Sequence, residues 1–173
     1  MSKEKKKSGR KSYLSDFSLN AAGEYIYTGK YVDYKCAGGR KEYVKKNIPF
    51  YIVLVVFLIT AGCLPIAAML NSWYVIIPYM LEVLSCAFLV YSFVKLISDG
   101  DRIREYVYKQ TAPRIPKICL FNIVAAALCL IGLVIFSIIN GIDSVLFFVL
   151  SLICKLVCIS CSAVIMRTSK RCF

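Results

Sequence analysis

Four long apolar stretches decide what this chain can become. They are Ile48–Leu70, Trp73–Ile97, Lys117–Ile139 and Ser144–Met166. A helix rises about 1.5 Å per residue, so each stretch reaches across a hydrocarbon core of about 30 Å. A segment in lipid must satisfy its own backbone hydrogen bonds, and a single apolar run does so only as a helix. The expected fold is therefore all-α: a polytopic integral membrane protein, a four-transmembrane-helix bundle with both termini cytoplasmic. The composition agrees. Apolar types make up 59% of the 173 residues and charged types 18%, against about 45–50% and about 25% in soluble domains. That balance excludes a water-soluble enzyme and a disordered chain.

The polar residues divide the chain into five parts. Residues 1–47 form a basic, Tyr-rich arm, 48–97 a first helical hairpin, 98–116 a connector, 117–166 a second hairpin, and 167–173 a basic tail. The Lys-rich stretch Met1–Ser12 is expected to be disordered. The β-branched and aromatic content of Glu24–Tyr34 predicts extended structure, with Thr28-Gly29 as a turn. The arm is expected to lie on the membrane surface, with docking of a partner as the other reading. In the connector, Ile103, Tyr106 and Val107 fall at i, i+3 and i+4, which predicts a short amphipathic helix on that surface. Pro49 suits a helix start. Pro65 is expected to kink the first span or loosen its last turn. Trp73 and Tyr74, in an uncharged turn, are the expected anchors at a membrane–water interface. No apolar core follows the basic N-terminal stretch before Ile48, so the first span is expected to act as its own targeting signal.

The chain holds 22 Lys and Arg against 10 Asp and Glu, a formal net charge of +12. All the bases except Lys155 lie in Met1–Asn47, in Ser98–Lys117 with Lys95 at its edge, or in Arg167–Phe173. The two short turns between spans carry none. This is the positive-inside pattern, which predicts a multi-pass protein of the cell (inner or plasma) membrane with anionic lipid headgroups beside the basic face. No nucleic-acid recognition motif accompanies the charge, so no nucleic-acid partner is expected. The two hairpins also carry Lys46 and Lys117, Asn71 and Asn140, and Lys95 and Arg167 at similar offsets, although the residues between them match poorly.

Two ionisable residues sit deep in the spans. Glu82 follows Trp73 by about 14 Å of helix and Lys155 follows Ser144 by about 17 Å, which places both near mid-membrane. Each alone costs about 2.5–3.5 kcal/mol to insert. Opposite signs at matched depth predict an intramembrane ion pair. One reading is a lock that fixes which faces of the second and fourth spans meet. The other is a gate or proton-coupled switch in a small transporter or channel.

Cys154, Cys158, Cys161 and Ser162 supply a helix packing face of small residues in the fourth span. Metal ligation would need thiolates and a further donor in a dry setting, and the chain has no His, so neither a metal nor another cofactor is expected. The nine cysteines fall mostly within apolar runs, where they act as small hydrophobes, and a disulfide framework is not expected. No P-loop, HExxH or GxSxG motif is present and no catalytic residue is assigned. The expected function is that of a small non-enzymatic accessory or structural subunit, packed against other membrane subunits or against copies of itself.

Overall fold

A computed structural model describes residues 17–19, 24–36, 38–142 and 144–173. The expected disorder of Met1–Ser12 falls outside them. The chain is mostly helical. Helix α1 runs over Gly39–Cys63, α2 over Ala67–Asn71, α3 over Trp73–Ser98, α4 over Glu105–Thr111, α5 over Arg114–Asn140 and α6 over Val145–Cys172. Among the described residues, four stretches are long and apolar enough to cross a membrane: α1, α3, α4 with α5, and α6.

Several boundaries differ from the sequence expectation, for identifiable reasons. Helix α1 starts at Gly39, well ahead of the apolar run, so Pro49 lies inside the helix and not at its start. At the near end, the Glu42 carboxylate accepts from the Gly38 N–H at 2.6 Å and from Lys46 Nζ at 2.5 Å, which holds the first turns together. Pro65 interrupts the helix outright, beyond the expected kink or loosened last turn. Leu64 before it is extended, as a residue preceding proline prefers. The segment assigned to the end of the first span forms the separate short helix α2, and Ser72 alone divides α2 from α3. Helix α5 stops at Asn140 against Gly141, whose φ of +81° suits glycine at a helix end.

Helix α1 packs on α6, α6 on α5, α5 on α3 and α3 on α1. The two helices of the first hairpin meet each other less extensively than they meet α6 and α5. Close approach of α3 and α5 depends on Gly132. A Cβ there would lie 3.1 Å from the Tyr74 carbonyl oxygen. Pro78 has no N–H to offer that carbonyl, its i−4 partner, so the freed oxygen faces the neighbouring helix.

Radial polarity is reversed from that of a water-soluble protein. Asn47, Glu82, Ser85, Asn122, Ser151, Lys155, Ser162 and Ser169 are buried. Ile52, Val56 and Ile59 of α1, Ile77, Leu84 and Phe88 of α3, Leu128 and Ile131 of α5 and Leu146 and Leu156 of α6 face outward and are exposed. Trp73 is 73% exposed beside Tyr74, at the end carrying the short turns.

The opposite end is capped. Strand β1 (Phe17–Leu19) pairs antiparallel with β2 (Tyr25–Tyr27), and β3 (Tyr31–Val32) pairs antiparallel with β4 (Ile103–Arg104). Thr28 and Gly29 do separate two strands, but these join different sheets. The Tyr27 ring covers Gly29 and its hydroxyl donates to Lys30 O at 3.1 Å. The connector also differs from expectation, since Ile103 belongs to a strand and α4 begins at Glu105. Ile103 and Val107 are buried and Tyr106 packs on Phe17 and Tyr27, so this apolar face is spent on the protein itself.

Cys36 and Cys172 form a disulfide, contrary to the sequence reading. Residues far apart in sequence meet here because the arm folds back across the end of α6. Lys35 N–H donates to Cys172 O at 3.1 Å, and Lys35 Nζ and the Tyr108 hydroxyl reach Phe173 O at 2.6 and 3.2 Å. The Phe173 ring lies among Tyr34, Tyr43 and Tyr108. Burial pushes the Tyr34 hydroxyl up to about 12, so it remains a donor toward Leu96 O, 3.4 Å away. The Tyr-rich segment from Glu24 to Cys36 is thus a fitted cap on the helices.

Candidate functional site

Glu82 and Lys155, expected to meet from their matched depths, are in contact. Lys155 Nζ of α6 donates to Glu82 Oε2 of α3, and both side chains are 0% exposed. The α3 face that brings Glu82 inward also carries Val75, Ser85, Cys86 and Leu89, the three- and four-residue spacing of one helix side. The matching α6 face carries Ser151, Cys154, Cys158, Ser162 and Ile165.

Lys155 Nζ also lies 4.6 Å from the centroid of the Tyr79 ring, a desolvated cation–π contact of about 2 kcal/mol. Tyr79 is fixed by its hydroxyl, which donates to Leu58 O of α1 at 3.3 Å, and by Gly62, where a Cβ would overlap that hydroxyl. The ammonium is therefore held between a carboxylate and a ring face supplied by α3, with α1 locking the ring. Glu82 Oε1, by contrast, has no hydrogen-bond partner among the described residues.

A second polar chain starts one turn along α3. The Ser85 hydroxyl reaches Asn122 Oδ1 of α5, with Glu82 O of its own helix at 2.9 Å. Asn122 Nδ2 donates to Ser162 Oγ of α6 at 2.9 Å. Three helices are joined through one amide, and both ends of that amide are used. Such bridges within an apolar interior are worth about 0.6–2 kcal/mol each, and a half-made bridge leaves a buried group unsatisfied.

The small-residue face of α6 serves two neighbours. The Cys158 thiol points at Leu54 O of α1 at 3.9 Å, while Ser162 turns to α5. Cys154 and Cys161 are buried beside them. Cys129 of α5 similarly points at Val75 O of α3 at 3.8 Å. Thr60 and Ser160 are exposed and Ser137 is half-buried, and each hydroxyl donates to a carbonyl of its own helix. Among the described residues, no group of His, Cys, Asp or Glu side chains is arranged to hold a metal.

Two features of this interior were not read from the sequence. Asn122 was visible there as an isolated polar residue, but its partners Ser85 and Ser162 depend on how three helices rotate about their axes. Nearer the capped end, the Tyr43 hydroxyl lies 3.2 Å from Ser169 Oγ, and Asn47 Nδ2 donates to Tyr43 O at 2.8 Å. That cluster joins α1 to α6 a few turns from the ion pair. Comparison with protein-family models, curated proteins and solved structures gave no match.

Proposed function

We propose that this chain is a non-enzymatic integral membrane protein that serves as a structural or accessory subunit, in a larger membrane complex or in an assembly of its own copies. Its four long helices cross the cell membrane, and the capped, basic end faces the cytoplasm. The observation that carries this reading is the radial arrangement of side chains. The Glu82–Lys155 pair and the Asn122 amide join helices in the interior, while exposed Ile, Val, Leu and Phe cover the outside. Lipid suits that outside, and the internal contacts hold the helices in one arrangement. The concentration of bases at one end supports the orientation.

A second reading, a small transporter or channel, draws on two observations. Among the described residues, Glu82 Oε1 has no hydrogen-bond partner. A surface recess lined by Gly62, Pro65, Met69, Ile76 and Tyr79 ends on the ring that covers Lys155. In that reading Tyr79 is the plug and Glu82 accepts the proton when the pair opens.

The two readings separate in one preparation. The native assembly, extracted in mild detergent and weighed by light scattering, is expected to contain more than one chain of 19.5 kDa. Vesicles carrying it are expected to show no proton flux that depends on Glu82. A lone chain whose flux disappears in Glu82→Gln would overturn the structural reading in favour of the transporter.

A further inference from the structure

We propose that the groove between the start of α1 and the end of α6 binds the phosphate of an anionic phospholipid. The groove is lined by Glu42, Lys46, Val164, Arg167, Thr168 and Arg171, with the Cys36–Cys172 disulfide as one wall. This site rests on the membrane reading above and adds a specific ligand to it.

Charge is the first argument. Glu42 is the acid in the groove, and its carboxylate is engaged by Lys46 and by the Gly38 N–H. Arg167 and Arg171 lie one helical turn apart on α6, so their guanidinium groups share one side. Neither forms an ion pair with an acid among the described residues. The groove therefore offers two free planar cations, the geometry that grips phosphate oxygens in pairs.

Position is the second argument. Lys46 stands just before Ile48 and Ile52, the first exposed apolar residues of α1, and Arg167 follows the apolar part of α6 directly. The cations thus sit where an apolar surface gives way to a polar cap, at headgroup height. Phe50 and Val53, one and two turns beyond Lys46 on α1, and Val157, nearly three turns before Arg167 on α6, are half-buried apolar residues along the same helix pair. They continue the groove as a greasy track for acyl chains. A soluble anion would use the cations and leave that track uncovered, so a diacyl lipid is the occupant that matches both halves. When Cys36 and Cys172 are joined, the bond also fixes the arm beside the groove and holds Arg171, next to Cys172, against fraying of the helix end.

The test uses the full chain in detergent, titrated with phosphatidylglycerol or with phosphatidylcholine and read by native mass spectrometry. One phosphatidylglycerol is expected to be retained per chain in preference to phosphatidylcholine. Arg167→Gln with Arg171→Gln is expected to weaken that retention about 30-fold, from two basic contacts of about 1 kcal/mol each. Arg114→Gln with Lys117→Gln removes the same charge from the start of α5 and is expected to leave it nearly unchanged. Equal weakening by both pairs would reduce the effect to overall charge and overturn the site. Displacement of the lipid by inorganic phosphate alone would assign the groove to a free anion and also overturn it. Failure of the membrane reading looks different, because the chain would then stay soluble without detergent and retain neither lipid.

Discussion

Lys155→Met in the otherwise intact chain is expected to destabilise the protein by about 3–5 kcal/mol, because it leaves the Glu82 carboxylate buried with no counter-charge. The loss should appear as a lowered unfolding midpoint in detergent and a reduced yield of folded protein. Glu82→Gln alone is expected to do similar damage by leaving the ammonium buried with no counter-charge, against a neutral amide and the Tyr79 ring. The double substitution Glu82→Gln with Lys155→Met is expected to recover most of the stability, since replacing both members of a buried ion pair is often close to neutral. The excess of the two single losses over the double loss measures the coupling. Charge exchange makes the same point with the charges kept. Glu82→Lys and Lys155→Glu should each fail to fold well, and together they should restore folding. Additive losses in both series would show that the two side chains do not act on each other.

The cap provides the second large effect. Cys36→Ser, or reduction of the intact chain, is expected to cost about 2–4 kcal/mol, the usual range for a disulfide that closes a long loop. The change should be concentrated in the arm. Strand β3 is held to β4 over only two residue pairs, and the remaining ties to α6 run through Lys35 and the Phe173 ring. Amide exchange over residues 31–36 should therefore quicken far more than exchange near Glu82. The cellular state of this bond also carries information on orientation. Disulfides persist in oxidising compartments and are rare in the cytosol. With the basic end in the cytoplasm, Cys36 and Cys172 should be recovered largely as thiols from growing cells and should pair on oxidation, making the cap sensitive to redox state. Recovery of the pair fully oxidised would argue for the reverse orientation.

The main lines of the fold were legible because they depend on composition in long windows. Apolar runs mark where a helix can meet lipid, and four such helices are present. Their ends were less legible. Hydropathy does not see the polar turns from Gly39 to Asn47 that extend α1, and it reads straight through the break at Leu64-Pro65. The ion pair was legible because two lone charges in apolar surroundings have few ways to be satisfied and stood at equal depth. The Ser85–Asn122–Ser162 bridge was not, since each residue is common and small and only helix rotation selects the partners. The disulfide was hidden for a similar reason. Cys36 sits in a polar arm whose return path over α6 is set by ring packing among Tyr34, Tyr43 and Phe173, contacts that no local pattern announces.

The arrangement of the helices in lipid is tested most directly by labelling from one side. Single cysteines placed at Asn71 and at Asp101, in a chain whose exposed Cys63 is replaced by Ser, can be offered a membrane-impermeant maleimide in sealed vesicles of known orientation. Asn71 should react from the outside, while Asp101 should react only after the vesicles are opened. Reaction of both positions from the same side would contradict a chain whose long helices cross the bilayer around a buried Glu82–Lys155 pair.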